Sequence, residues 1–309
     1  MLLSALPQNL NMATISLSNK KSKKLISNRK NRKMKKYLFI ILSVLIFSKI
    51  IVSQDVGTWF PAKLNIKPFT ANILEARNGF SYLFGEEKIR LNAGLSSDIY
   101  QIQNDNSTLS FGSDVFTYTR LRSENNFRFP VETIDYFFGL NSGYKIVLNN
   151  VEYGFRARLS HISAHLVDGS YDGQNLVWRN GRVPFVYSRE FIEILPFYAI
   201  NSLRFYGGFT YLFHRIPDTI GKGIYEIGFD YYSQSYFSKN ITPFLADDFK
   251  LNQIEKYTGN NIFTAGIKFG KYNGKGFSIV FSYISGKSVQ GLFYDVNENY
   301  SSLGFNFDL

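Results

Sequence analysis

Period-two alternation of aromatic with polar residues, strand-like stretches of about 10–14 residues, and connections that alternate between short and long together predict an all-β fold. The expected architecture is a transmembrane antiparallel β-barrel of about twelve strands, of the kind found in bacterial outer membranes. Strands in soluble sheets usually run about 5–6 residues. The apolar face of these stretches is rich in Phe and Tyr, as lipid and its interfaces require. The other face carries Arg, Asp, Glu, Gly and Asn, as a wet interior requires.

The charge is unevenly placed along the 309 residues. Residues 1–53 hold eleven of the 35 Lys+Arg and none of the 24 Asp+Glu, so the rest of the chain carries 24 of each. The net charge of +11 therefore belongs to the first segment, and a basic nucleic-acid-binding body is excluded. With 45% hydrophobic residues, the body has the means to bury a core and is not a disordered chain. Cys is absent, which removes disulfides, thiolate metal sites and thiol nucleophiles. Lys35 and Lys36 precede the uncharged apolar run Tyr37–Ser48, and a small residue, Ser53, follows. That order reads as a signal peptide cleaved after Ser53, which directs export through the inner membrane. The run falls short of the roughly 20 residues that a spanning helix needs. Met34 heads such a peptide by itself, so residues 1–33 read as an overlong start, expected to be disordered.

Residues 54–76 contain WFPAKLNIKPF, where Pro61 and Pro68 interrupt any regular element. This segment reads as a periplasmic lead-in, and 77–309 as the barrel. The strands fall at about 77–84, 88–102, 109–123, 132–147, 151–165, 184–199, 202–214, 221–234, 240–250, 260–271, 275–286 and 298–309. An even count puts both termini on the periplasmic side. Leu148–Asn150, Ile200–Asn201 and Tyr272–Gly274 are then the short turns. Leu166–Val183, Arg215–Ile220 and Leu251–Gly259 are the external loops. The closing alternation of Leu303, Phe305, Phe307 and Leu309 resembles the terminal signal that such barrels present to their assembly machinery. That machinery and outer-membrane lipid are the expected partners; no nucleic acid and no protein ligand are indicated. Arg90, Asp98, Arg120, Arg122, Asp135, Lys145, Arg156, Arg158, Arg204, Glu226 and Asp230 take the inward parity. Both signs are present, so a plugged or narrow interior is expected rather than a wide pore.

The chemistry-bearing stretch is RLSHISAHLVDG. His161 and Ser163 form an H-x-S pair on one strand face, about 6.6 Å apart along the strand. They share parity with Tyr153, Phe155, Ala157 and Leu159, and so face lipid, while Arg156 and Arg158 face inward. An apolar band about 25 Å tall takes roughly 10 residues of a tilted strand. Counting from Tyr153, the pair lies near the outer-leaflet interface, where lipid ester bonds are found. A serine needs a general base to act as nucleophile, and a third group must orient that base. Glu190 on the following strand and Asn175 in the loop are the orienting candidates. His165, Asp168, Arg156 and Arg158 are candidates for binding. Outer-membrane phospholipase A and lipid A 3-O-deacylase are similar at this one point: both are barrels with an H-x-S pair facing lipid and an Asn or Glu close by. The alternative is ordinary strand chemistry, with Arg189 and Glu190 joining the Arg156/Arg158 charges. Three histidines without Cys give little basis for zinc, and no cofactor motif is present. Asp247-Asp248 is a weak calcium signal, better read as a solvated tip.

In order along the chain, WFPAKLNIKPF, RNGFSYLFG, FRFPVETIDYFFGLNSGY, RARLSHISAHLVDG, YSREFIEILPFY, LRFYGGFTYLF and GLFYDVNENYSSLGFNF resemble one family. It is the bacterial outer-membrane family catalogued as domain of unknown function 1207, and the resemblance covers about residues 58–309. Its most specific part is H-x-S-[SA]-H-L-x-D, here His161, Ser163, Ala164, His165, Leu166 and Asp168. Many members carry Gly-Asp-Glu after the His-Leu, where this chain has Val167-Asp168-Gly169. The resemblance implies an exported outer-membrane barrel and no established activity. Two functions stay open: a structural, binding or narrow-transport barrel, and an interfacial lipid acyl hydrolase.

Overall fold

Fifteen strands carry the chain's backbone hydrogen bonds in the computed structural model, which describes residues 56–233, 240–270 and 274–308. They are β1 (Val56–Trp59), β2 (Asn78–Leu83), β3 (Lys88–Gln103), β4 (Ser107–Arg122), β5 (Val131–Leu148), β6 (Val151–Leu166), β7 (Tyr171–Asp172) and β8 (Val177–Trp178). There follow β9 (Tyr187–Ile200), β10 (Leu203–Ile216), β11 (Ile220–Tyr232), β12 (Ile241–Ile254), β13 (Lys256–Gly270), β14 (Gly276–Lys287) and β15 (Asn297–Asp308). The signal-peptide expectation, the turn residues Tyr272 and Asn273, and Leu309 lie outside the described residues.

Twelve strands close into an antiparallel barrel: β2 to β6 and β9 to β15, with β15 pairing back onto β2. Closure leaves no lipid-exposed sheet edge along the seam from Ser302 to Phe307, as a bilayer demands. Phe205, Phe209, Tyr211, Tyr225, Ile227, Phe277 and Phe281 are among the exposed residues of a continuous outer apolar belt. The chain is therefore a transmembrane outer-membrane-type β-barrel rather than a soluble β-protein. β1 is a short addition to the far end of β3, and β7 with β8 forms a small hairpin inside the long loop after β6. Asn149 and Asn201 take positive φ in the tight turns after β5 and β9, a conformation that Asn tolerates.

The strand boundaries follow the sequence pattern closely, with one exception. Residues 251–259 are not a loop: β12 and β13 continue as a paired ladder to a tight turn at Glu255. Their polar composition reflects strands that outrun the lipid band, where both faces meet water. Asp247 and Asp248 accordingly sit on β12 and not at a solvated tip.

The interior is filled from both ends. Residues 60–77 do not trail outside the barrel but run through it, with Asn65, Phe69, Ala71, Asn72 and Glu75 buried. Inward-facing polar groups hold this segment. The Asn65 backbone N–H donates to Asp98 at 2.7 Å, and Asn72 Nδ2 to Glu226 Oε1 at 2.9 Å. Arg204 donates to the carbonyls of Lys67 and Pro68, at 2.9 and 2.7 Å. Arg156 grips Glu75 through two hydrogen bonds of 2.9 and 2.5 Å. From the loop end, residues 288–296 fold inward. Gly291 N–H donates to Asp135 Oδ2 at 2.7 Å, and Leu292 and Phe293 join Phe137, Ile162, Phe191 and Leu212 in an apolar cluster. The expected interior charges do face inward, and most are paired: Arg158 with Glu193 at 2.7 Å, Arg120 with Glu132 at 3.0 Å, Glu226 with Lys250 at 3.1 Å. Two interior cavities, one beside Asp98 and Arg156 and one beside Arg90 and Tyr300, amount to about 10 Å³ each, the space of a single water.

Candidate functional site

β6 alternates strictly. Arg156, Arg158, Ser160, Ile162 and Ala164 are buried inside, while Phe155, Leu159, His161, Ser163 and His165 take the outer face. β9 pairs with β6 so that His161 lies directly opposite Glu190, and Ser163 opposite Ser188. On β9 the inward positions are Tyr187, Phe191 and Glu193, which leaves Ser188 and Glu190 outside. The H-x-S pair and the expected orienting acid thus share one patch of the membrane-facing surface, toward the loop end of the barrel.

Within that patch Glu190 is the hub. Its Oε1 lies 2.6 Å from His161 Nδ1 and accepts the Ser188 hydroxyl at 2.8 Å. Its Oε2 meets His214 Nδ1 from the opposite neighbouring strand. A carboxylate only accepts, so both imidazoles present Nδ1–H to it and keep Nε2 for other work. The Ser163 side chain has no hydrogen-bond partner among the described residues. It faces the same way as His161, two residues on, beside Tyr136 of β5.

His214 escaped the sequence reading because of a bulge. The alternation of β10 places Tyr206, Thr210 and Leu212 inside, and simple parity would carry His214 inside too. The register shifts between Leu212 and His214, so that Phe213 and His214 both lie outside and His214 falls opposite Glu190. Bulges re-aim side chains in this way and leave no mark in the residue pattern. Ser188 was readable, since it precedes Glu190 by two positions and must share its face.

The remaining candidates lie elsewhere. Asn175 is not an orienter for His161: its amide donates to Asp172 Oδ2 at 3.0 Å inside the exposed β7–β8 hairpin. Asp168 caps its own turn, accepting the Gly169 N–H at 2.9 Å. His165 is exposed on the outer face and packs edge-on against Tyr136, ring centroids 5.9 Å apart. Arg156 and Arg158 are inward, bound to Glu75 and Glu193, and so are not a surface binding site. Glu190 does not join that interior network; Glu193 does. Among the described residues no group of three or more His, Asp or Glu side chains is arranged to hold a metal ion.

Fold and site together define an outer-membrane β-barrel with a filled interior and a polar cluster on its lipid-facing wall. The sequence belongs to the family described as protein of unknown function (DUF1207), whose model matches residues 67–309. No curated protein matches it. Among solved structures it is similar to the translocator domain of the autotransporter NalP from Neisseria meningitidis, with 13% identity over 75% of this chain and 84% of that one, TM-score 0.34. It is similar also to the outer-membrane expressed OmpT of Vibrio cholerae, with 7% identity, coverage of 75% and 95%, and TM-score 0.35. OccK5 of Pseudomonas aeruginosa gives 8% identity, the same two coverages of 75% and 95%, and a TM-score of 0.30.

Proposed function

We propose that this barrel is an interfacial lipid acyl hydrolase whose site lies on its outer wall at the level of the outer-leaflet ester bonds. One observation carries the reading: the Glu190 carboxylate holds His161 by its Nδ1–H at 2.6 Å on the face that meets lipid. An ionisable cluster on a lipid-facing surface is costly, and such groups mark functional positions. The interior occupied by residues 60–77 and 288–296 argues against transport through the barrel.

In this reading His161 Nε2 takes the proton of Ser163 as Oγ attacks the ester carbonyl carbon. The alkoxide of the leaving glycerol or sugar departs with that proton from His161. Water then attacks the acyl-serine, giving a proton to His161; the acyl–Oγ bond breaks, Ser163 Oγ takes that proton back from His161, and the fatty acid leaves. Glu190 fixes the imidazole tautomer and offsets the charge of the imidazolium. Ser163 and His161 share no hydrogen bond in the resting structure, so this reading requires their side chains to meet when substrate arrives; hydrogen bonds of this kind often tighten only in the complex.

The test is ester hydrolysis by the refolded mature chain in mixed micelles of phospholipid or lipid A. Ser163→Ala and His161→Ala should each abolish turnover, and Glu190→Gln should lower it by up to roughly 10⁴-fold. Absence of hydrolysis by a folded barrel on both substrates would sink the proposal, as would activity that survives Ser163→Ala.

A further inference from the structure

The outer belt holds a second polar feature, remote from the histidine cluster. Asp247 is the seventh of the fourteen residues of β12, four positions before Leu251, from which the strand outruns the lipid band. Its neighbours along the strand, Asp248 and Ala246, are buried inside, while Leu245 and Phe249 are exposed outside. Its cross-strand partners are Phe229 on β11 and Phe263 on β13, both on the outer face. The carboxyl group therefore projects into the aromatic belt. Among the described residues no other Asp, Glu, Lys or Arg faces outward at mid-strand.

One partner reaches it. Asn261 on β13 shares the face and donates from Nδ2 to Asp247 Oδ1 at 3.1 Å. Among the described residues Asp247 Oδ2 and the second N–H of the Asn261 amide have no further partner. Lipid tails offer a partner to neither. The two unused groups complement each other, but not within one chain, where the first bond already fixes their relation. Across a two-fold axis they match: each Asn261 gives its second N–H to the other copy's Asp247.

We infer that the β12–β13 face is the contact between two copies of this chain in the membrane, sealed by a reciprocal Asp247–Asn261 pair. An isologous contact needs a self-complementary patch, and interchain hydrogen bonds from Asn and acidic side chains act as glue where lipid gives no hydrophobic drive. Ala265, on the same face and opposite Leu245, is small enough to let the two walls approach.

The chain has no cysteine, so single introduced thiols report cleanly. The full chain, reconstituted in vesicles and in mild detergent, should run as a dimer by light scattering. Ala265→Cys should couple to its counterpart on mild oxidation. Val115→Cys on β4, half-way round the twelve-stranded ring, should not. Asp247→Leu should weaken the dimer by about tenfold or more, whereas Asp247→Asn, which keeps an acceptor, should preserve it. A monomer in both media overturns the inference. So does a dimer indifferent to Asp247→Leu in a barrel that still folds by its heat-modifiable gel mobility, or coupling through residue 115 and not 265. None of these outcomes depends on ester hydrolysis.

Discussion

Glu190 is the residue on which the proposed site turns, because one carboxylate serves two imidazoles and a hydroxyl. Losing His214 would free one oxygen and let the side chain swing. A hydrogen bond to a charged group contributes about 1.5–3 kcal/mol, so His214→Ala should lower turnover by about tenfold or more. The change should fall on kcat with KM unmoved, since the imidazole of His161 would spend less time correctly oriented. His214→Gln, which still donates, should recover part of it. A raised KM at unchanged kcat would place His214 in substrate binding instead. The sequence showed half of this arrangement. H-x-S at period two fixes both side chains on one face, and Glu190 on the next strand was within reach of them. His214 was hidden because a single extra residue at Phe213 inverts the parity beyond it.

Among the elements, twelve strands were legible because lipid outside and charge inside enforce alternation over their whole length. Where strands leave the bilayer that constraint lapses, and residues 251–259 looked like a loop although they pair to the turn at Glu255. The long loop after β6 shows the reverse: a segment with no period that is nevertheless ordered by side chains. Asp172 accepts the Asn175 amide and the backbone N–H groups of Asn175 and Gln174, and these bonds hold its carboxyl below the ordinary aspartate value of 3.8. A depressed acid stabilises its fold above the unperturbed value, and that contribution is lost as pH falls through the folded value. The β7–β8 hairpin should thus stay ordered from neutrality down to about pH 4 and loosen only below it. Trp178 packs on Tyr171 with ring centroids 5.2 Å apart, so its emission reports the hairpin once Trp59 is replaced by Phe. A transition centred above pH 4 would show that the Asp172 bonds do not hold the hairpin.

At the scale of the molecule, the interior was legible as charged and closed, but not as filled by residues 60–77. Their prolines and mixed polarity resemble any exposed lead-in, and the acids that complete the interior pairs sit partly on that segment. Glu75 shows what this placement costs and gives. It is fully buried, bound by Arg156 at 2.5 Å and within 4.0 Å of Arg158. Glu75→Gln would leave two buried guanidinium groups short of a counter-charge, and breaking a buried pair on one side costs about 3–5 kcal/mol. The urea midpoint of the variant should drop accordingly. Replacement of both partners, Glu75→Leu with Arg156→Met, should restore much of the loss, because an apolar pair of similar volume removes the desolvation penalty. The same geometry predicts the electrical behaviour. A barrel of twelve strands is already narrower than the sixteen-to-eighteen-stranded channels, and here the N-terminal segment and residues 288–296 occupy what remains. The native chain in a planar bilayer should show no steady ionic conductance. If it conducted steadily while Arg156 and Glu75 stayed paired, ions would have to pass through space that these side chains fill, and the hydrolase proposal would lose its main argument against transport.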